Sequence, residues 1–285
     1  MKNFLLISLC FFGLQNLYSQ DSIRAVNIYK HEIVNGRRTV KKTILEQKTY
    51  NLDNQIVLQL LYDDSIPRVM RFTRFYYEDN ELISKESFDH NNEPIKITRY
   101  QYNEDGELMT KAIYLPGEKM MKNVKTIQFR YRDGKPVQKT ILNNKGKWVS
   151  LSETGYFDSI EIETIKYKRK YEDSLKTMVI TRNYDKGMLI KESFYRTYRD
   201  KSKKLEQVEY TYSDKGMLTE KKWSEGDQIV KRLEYTWFSN GTINRKSTFN
   251  RDDQLIEFLS HKHLKRSITL SDLPMFDLEQ PLGGE

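Results

Sequence analysis

The chain is 285 residues long, and its 48 Lys and Arg against 40 Asp and Glu give a formal net charge of +8. A basic surface that also carries many acids suits an anionic partner or, more simply, good solvation. The single cysteine, Cys10, lies so near the N-terminus that the rest of the chain can have neither a disulfide framework nor a cysteine nucleophile.

The first 20 residues have the pattern of a signal peptide. Lys2 provides the charged start, an apolar run covers residues 4–14, and the small residue Ser19 permits cleavage. Because this run is shorter than the roughly 20 residues that span a bilayer, and no later run approaches that length, we expect no transmembrane segment in the mature chain. A lipid anchor on Cys10 is disfavoured, since the bulky Leu9 precedes it.

Export without disulfides is typical of a bacterial envelope protein rather than of a small eukaryotic secreted domain. We expect the periplasm or the periphery of the outer membrane more than the medium, because the tail lacks a β-domain that could act as a cargo signal. The expected partner is another envelope protein or an anionic glycan. Nucleic acid is not expected, and the sequence leaves the oligomeric state open.

Residues 21–48 predict an N-terminal capping hairpin. The dipeptide Asn35-Gly36 stands between apolar residues that include Val34 and Val40, and Asn-Gly is the preferred two-residue hairpin turn. Terminal units of a repeat array are commonly atypical.

An aromatic residue recurs at intervals of about 27 positions through residues 49–266. A period of this size indicates a β-repeat array, in which each unit buries its apolar face against its neighbours. The recurring residues are Tyr50, Tyr77, Tyr102, Tyr131, Tyr156, Tyr184, Tyr212 and Trp237.

Each repeat predicts two strands and two turns. In the third copy, residues 97–102 and 108–114 alternate polar and apolar side chains, and residues 103–106 form a turn that ends in Gly106. Glycine supplies the positive φ of a tight turn, although the copies at Tyr50, Tyr77 and Tyr156 lack it. The sequence therefore predicts an all-β fold with about 16 strands.

Open twisted sheets rarely exceed about 10 strands without curling or splitting. We therefore expect an elongated antiparallel meander of about eight two-stranded repeats, twisted or curled, with a short C-terminal tail. A 16-stranded outer-membrane barrel is the alternative. It is disfavoured by charges on both faces of the strands, as at residues 191–193 and 220–222, and by the final residues 283–285, which do not form a strand.

Aromatic pairs two residues apart occur in the first strand of several repeats, for example Tyr100 with Tyr102 and Tyr210 with Tyr212. Side chains at i and i+2 share a face of a strand, so stacked repeats predict an aromatic ladder worth about 0.2–1 kcal/mol per pair. Packing of the rings against those of neighbouring strands is enough to explain such a ladder. An exposed row of rings would instead favour a carbohydrate-stacking platform.

Residues 102–108, 184–189 and 212–218 each contain a Tyr, a polar turn, a Gly and a following Leu. These segments resemble the tyrosine–aspartate repeats of the RHS family and the MORN-related repeats of exported Bacteroidetes proteins. The resemblance extends over residues 45–260. It implies a β-rich envelope scaffold without a transferable active site.

The sequence contains no motif that carries a known chemistry. A Gly-rich phosphate loop, a nucleophile elbow and a zinc-binding helix are all missing. His261 and His263 would share one face of a strand, but a zinc site normally needs three or four protein ligands. We therefore expect no enzyme, no cofactor and no metal site.

Residues 267–285 differ from the repeats, because acids alternate with apolar residues such as Leu273 and Phe276. Two interpretations stay open. The tail is either an unstructured end or a segment that docks on the basic body or on a partner.

Our leading hypothesis is an exported, non-enzymatic β-repeat scaffold or interaction protein of a bacterial cell envelope, as a subunit or accessory of an envelope complex. It would use sheet edges and an aromatic, basic face. The alternative is a carbohydrate- or polyanion-binding module, and an enzyme whose site is assembled from distant residues is the third possibility. The candidate interaction residues are Tyr102, Tyr131, Tyr184, Tyr212, Trp237, Leu273 and Phe276.

Overall fold

A computed structural model describes residues 24–63, 68–118, 120–168, 177–198 and 201–264. The predicted signal peptide, residues 1–20, and the tail, residues 267–285 with Leu273 and Phe276, lie outside these ranges. Within them, no helix is long and apolar enough to cross a membrane.

The described residues form 18 strands. In chain order these are β1 (Arg24–Val34), β2 (Arg37–Tyr50), β3 (Ile56–Tyr62), β4 (Val69–Glu78), β5 (Glu81–Asp89), β6 (Pro94–Tyr102), β7 (Leu108–Pro116), β8 (Met121–Arg132), β9 (Lys135–Asn143), β10 (Trp148–Phe157), β11 (Ile160–Tyr167), β12 (Thr177–Asp185), β13 (Met188–Tyr198), β14 (Lys201–Tyr212), β15 (Leu218–Glu225), β16 (Gln228–Trp237), β17 (Ile243–Phe249) and β18 (Leu255–Leu264).

Consecutive strands pair along the chain, and β1 pairs with β18 as well as with β2. Every strand therefore has two partners, and the sheet is a closed 18-stranded antiparallel barrel. The all-β prediction is correct, but the open meander is wrong. Closure pairs the backbone groups that an open sheet leaves exposed at its two edges. The residues of the predicted capping hairpin form β1 and β2, which pair with each other, and β1 also pairs with β18.

The turns follow the predicted composition. Asn35 and Gly36 both have positive φ, 51° and 71°, as a two-residue hairpin turn requires. In the copies without the glycine, the positive φ is taken by Asn54, Asn80 and Asp158. Asn and Asp tolerate this left-handed region better than other residues with a side chain, so the loss of glycine does not interrupt the repeat.

The recurring aromatic residue reaches back to the preceding repeat. Tyr212 pairs with Leu218 beside a register shift, and its hydroxyl donates to the carbonyl oxygen of Leu189 at 2.9 Å. Leu189 is itself the cross-strand partner of Tyr184, the preceding recurring tyrosine. The side chain thus supplies a donor at a bulge, where the backbone ladder is locally disrupted.

The same contact recurs along the array. In each case, the acceptor is the carbonyl oxygen of the residue opposite the preceding recurring aromatic residue. The pairs are Tyr77 with Ile56 at 3.1 Å, Tyr131 with Leu108 at 3.2 Å, Tyr156 with Pro136 at 2.9 Å, and Trp237 Nε1 with Leu218 at 2.7 Å.

The chain forms two compact units. The first contains residues 44–95 and the described parts of residues 1–28 and 262–285. Its apolar core consists of Leu58, Leu60 and Phe72, which are 3–7 % exposed. The Phe72 and Phe88 rings stack with their centroids 5.0 Å apart.

The second unit contains residues 29–43 and 96–261. Its buried apolar side chains, such as Val208 and Leu233, lie on separate strands among buried polar ones, such as Ser152 and Glu163. Because aliphatic packing is sparse, polar contacts across the strands have a larger share in holding this unit together.

We predict that Tyr212→Phe will lower the free energy of unfolding by about 1 kcal/mol, because the carbonyl oxygen of Leu189 loses its donor while the ring is kept. The measurement is equilibrium denaturation in urea. Tyr167→Phe, at an exposed ring, is the control and should change little. Equal losses in the two variants would contradict the proposed role of the hydroxyl.

If β1 and β18 pair, cysteines introduced on these two strands should be close enough to be cross-linked. His31 Nε2 lies 2.8 Å from Ser260 Oγ, so a short bifunctional thiol reagent should link His31→Cys with Ser260→Cys within one chain and keep proteolytic fragments joined. His31→Cys with Ser247→Cys is the control. Ser247 lies one strand further from β1, and the spacing of about 4.8 Å per strand should make this pair link much less than the first. Absence of the first link would refute the closed ring.

Candidate functional site

In the second unit, the recurring aromatic residues lie on one face of the sheet, which we call the tyrosine face. Tyr156 is directly opposite Glu161, and Glu161 is directly opposite Arg182. Directly paired residues, and residues two apart on a strand, share a face. The register therefore collects a set of charged side chains among the tyrosines.

Arg182 on β12 is the centre of this set. Its guanidinium group contacts Glu161 through Nη1, Glu163 through Nη2 at 3.0 Å, and Glu192 through Nε at 2.9 Å. Such charge-assisted hydrogen bonds are roughly twice as strong as neutral ones. The Arg182 side chain is 21 % exposed and that of Glu163 only 8 %, so the contacts are largely shielded from water.

Further donors saturate the carboxylates. Glu163 also accepts hydrogen bonds from Lys139 Nζ, at 2.8 Å, and from the Ser152 hydroxyl. The Tyr184 hydroxyl donates to Glu161 at 3.0 Å, and the Tyr210 hydroxyl donates to Glu192. We call this set the Arg182 network. It connects the six consecutive strands β9 to β14 and consists of Lys139, Ser152, Glu161, Glu163, Arg182, Tyr184, Glu192 and Tyr210.

The network shifts the pKa values of its members. Burial alone would raise the pKa of Glu163, but the hydrogen bonds from Lys139 and Ser152 outweigh it and lower that pKa to about 2. Burial would lower the pKa of Arg182, yet its bonds to Glu192 and Glu163 raise it. Burial and the neighbouring Glu161 raise the pKa of Tyr184 to about 12. At neutral pH, each group therefore stays in the charge state that its bonds require.

The chemical role of the network follows from how fully its carboxylates are hydrogen-bonded. Each carboxylate oxygen of Glu161, Glu163 and Glu192 has a donor from within the network. A general acid or base must reach a substrate proton, whereas these groups are occupied with one another. No group of three or more His, Cys, Asp or Glu residues in the described part of the chain is placed to hold a metal ion. The network thus joins strands.

Lysines cover several rings on the tyrosine face. Lys111 lies opposite Tyr100, with its ammonium nitrogen 5.5 Å from the ring centroid, and Lys221 lies opposite Tyr210 at 4.9 Å. Lys221 is also 4.6 Å from the Trp223 ring. These are cation–π distances. The ammonium groups occupy ring faces that a neutral sugar would need for stacking.

The five candidate interaction residues within the described part are not brought together. They occur one per repeat, and all are half-buried. Four of them have a side-chain hydrogen bond to another residue of the chain. Their assignment as an interaction surface stays a prediction, but the structure gives them an architectural role. The residues are Tyr102, Tyr131, Tyr184, Tyr212 and Trp237.

Sequence reasoning missed the Arg182 network, although a signal was present. Most repeats have an aromatic residue two positions before the recurring one and a lysine opposite it, as in Tyr210 with Lys221. The copy at Tyr184 has Arg182 opposite Glu192 instead. The copies at Tyr50 and Tyr156 also lack this aromatic residue, with Lys48 and Thr154 in its place, so the break at Arg182 was only a weak signal.

No family model matches the chain, and no curated protein matches it. A porin-like protein from Bacteroides vulgatus is 10 % identical, with 58 % of this chain and 93 % of that chain covered and a TM-score of 0.38. A porin-like protein from Bacteroides uniformis is 11 % identical, with 84 % and 96 % covered and the same TM-score of 0.38. The fold assignment rests on the strand pairing itself.

We predict that Arg182→Met will lower the free energy of unfolding by roughly 3 kcal/mol at pH 7, because three carboxylates lose their shared partner. The depressed pKa of Glu163 contributes stability above its ordinary value of 4.5, and this contribution is lost as the pH falls to about 2. Arg182 is one of the donors that lower the pKa of Glu163, so the part of the difference from the wild-type protein that comes from this bond should shrink between these pH values.

The measurement is thermal and urea denaturation from pH 7 to pH 2. Arg130→Met is the control, because Arg130 is exposed and its side chain lies on the opposite face from Tyr131. A loss that is independent of pH would show that Arg182 stabilises the unit by packing alone.

Proposed function

We propose that the protein is an exported, non-enzymatic scaffold or interaction protein of a bacterial cell envelope, acting within an envelope complex. The observation that carries the proposal is the saturation of the Arg182 network. The titratable groups with the largest pKa shifts all bind partners inside the network: Glu163 pairs with Arg182, Tyr184 donates to Glu161, and Tyr210 donates to Glu192. Enzyme active sites normally expose such groups to a substrate. Here they are used to join strands.

Closure of the sheet changes how a partner would bind. An open sheet could add a strand from a partner at its edge, but each strand of this ring already has two partners. The partner must therefore contact a face or the hairpin ends. The face opposite the tyrosine face has exposed charges of both signs, among them Arg130, Arg132, Glu209 and Glu234, which favours a polar, hydrated protein contact.

The proposed location is the periplasm or the periphery of the outer membrane. It is supported by the signal-peptide pattern of residues 1–20, in which Lys2 precedes an apolar run. The exposed charges of the opposite face, such as Arg130 and Arg132, disfavour contact of that face with lipid acyl chains.

A second function, binding of an anionic glycan, is favoured by one observation. Lys111 and Lys221 are held over aromatic rings of the tyrosine face. Because the lysines cover the rings, the ligand would be recognised by its negative charges more than by stacking. This proposal therefore favours a polyanion over a neutral sugar.

We predict that the tagged full-length protein, purified from mildly cross-linked native envelopes, will recover a companion protein in near-equal amount by quantitative mass spectrometry. The double variant Arg130→Glu with Arg132→Glu should lose that companion. The double variant Lys215→Glu with Arg251→Glu, also at exposed positions, makes the same charge change and should keep it.

Three results would overturn the proposal. Recovery without a companion, together with polyanion binding that Lys111→Gln and Lys221→Gln abolish, would favour the glycan module. Turnover of an envelope polymer by the purified protein would show an enzyme. Loss of the companion in both charge variants would show that net charge, rather than the opposite face, governs the contact.

A further inference from the structure

The hairpin end between β10 and β11 differs from the other repeats on the face opposite the tyrosines. Gly155 precedes the recurring Tyr156, and Phe157 follows it. In each of the other seven copies, the residue before the recurring aromatic one has a side chain, and in six of the eight copies the residue after it is polar or charged. Gly155 and Phe157 therefore depart from the repeat together.

These two residues are in contact. They lie two positions apart, so both belong to the same face of β10, and the ring folds back over the glycine. A Cβ atom at Gly155 would lie 2.9 Å from Cε2 and 3.3 Å from Cζ of Phe157, closer than the optimal separation of carbon atoms, about 3.5–4.0 Å. Only glycine leaves room for the ring in this position.

The ring is nevertheless open to solvent, since Phe157 is 60 % exposed. Ile160, directly opposite, is 41 % exposed, and Ile162, opposite Gly155, is half-buried. We call Phe157, Ile160 and Ile162 the Phe157 patch. The hairpin ends on either side, at residues 133–134 and 186–187, belong to the described part of the chain. A glycine inside a strand costs stability, so packing of the sheet does not account for this arrangement.

The side of the patch towards β8 is basic. Arg130 and Arg132 are exposed on the same face, and Asp133 in the adjoining turn offsets only one of their charges. Gln138 connects this side to the patch, because it is opposite Arg130 on one strand and opposite Glu153 on β10. The two arginines are those proposed above for the partner contact, so the patch continues the same surface.

The side of the patch towards β12 is acidic. Asp158, in the turn after β10, and Asp185, at the end of β12, are both exposed, beside one exposed lysine, Lys186. The backbone N–H of Tyr184 donates to the carbonyl oxygen of Ser159 at 2.8 Å, which holds the two acids at neighbouring hairpin ends. The rim of the patch is therefore basic on one side and acidic on the other.

This rim and the apolar patch together identify the kind of ligand. An anionic bilayer or an anionic polysaccharide would be repelled at Asp158 and Asp185. A neutral sugar would need polar groups beside the ring, but the next side chain on this face of β10, Glu153, is engaged by Lys166 at 2.9 Å. A protein surface can match both signs of charge and also cover the ring. A central aromatic anchor with a polar rim is the usual arrangement of an interface hot spot.

We propose that the Phe157 patch is the centre of the contact with the envelope partner, and that the Phe157 ring enters an apolar pocket of that protein. Acidic residues of the partner face Arg130 and Arg132, and basic ones face Asp158 and Asp185. Because the ring is already held over the backbone before binding, little side-chain entropy is lost on association. The inference rests on the proposed interaction function and assigns its surface.

The first test places a photoreactive phenylalanine analogue at Phe157 of the full-length protein in native envelopes. Irradiation should cross-link the analogue to the companion protein that co-purifies with the tagged chain. The same analogue at Ile256, a side chain of β18 that is 54 % exposed, is the control and should give no such adduct. An adduct at Phe157 with a second copy of the chain alone would overturn the proposal in favour of self-association.

The second test measures the affinity of the purified companion for variants of the chain. Phe157→Ser should weaken binding about 30-fold or more, as the loss of a hot-spot residue does. Gly155→Ala keeps the ring but displaces it, and should weaken binding about fivefold without lowering the melting temperature, since Ala suits a strand better than Gly. Ile256→Ser should change the affinity by less than about twofold.

The outcomes separate this inference from the function on which it rests. A companion that binds Phe157→Ser as tightly as the wild-type protein would refute the patch while the interaction function stands. Equal losses in Phe157→Ser and Ile256→Ser would show general apolar adhesion instead of a pocket. Failure to recover any companion would remove both proposals. Binding of a neutral oligosaccharide that Phe157→Ser abolishes would assign the patch to a glycan.

Discussion

Hydrogen bonds from five of the eight recurring aromatic residues to the preceding repeat fix the architecture of the array. Tyr131 binds the residue opposite Tyr102, and Tyr156 binds the residue opposite Tyr131, so each repeat is positioned by the one before it. A slip of one residue would turn the side chain to the other face of the sheet and break the bond. The constraint also explains why Trp237 can substitute for Tyr, since its indole N–H donates to Leu218.

These bonds matter because few aliphatic side chains are buried among the described residues of the second unit. A single hydrogen bond contributes only about 1 kcal/mol net, so the array depends on their repetition. Where the copy at Tyr184 departs from the pattern, its hydroxyl binds the Glu161 side chain instead of a backbone carbonyl. The Arg182 network then provides the connection between neighbouring repeats.

Local features of this fold could be predicted from the sequence, whereas long-range ones could not. The turn at Asn35 and Gly36 and the strands around Tyr102 depend on residues close in the chain, and the prediction of both is correct. Closure depends on contacts such as that between His31 and Ser260, which are 229 residues apart. No periodic pattern reports whether the two ends of an array meet. The Arg182 network was missed for a related reason, because its members come from six strands and only their register brings them together.

In a closed ring built from one repeated contact, the repeated residues are poor markers of a binding site. Most recurring aromatic residues donate a hydrogen bond to the equivalent backbone carbonyl oxygen of the preceding repeat, as Tyr131, Tyr156, Tyr212 and Trp237 do. A surface that contacts something outside the chain is under a different constraint, so its residues need not follow the period. Arg196 opposite Lys203 is one such departure, since like charges at directly opposite positions disfavour a strand pair. Positions that depart from the repeat, rather than the repeated aromatic residues, are therefore where an external contact should be sought first.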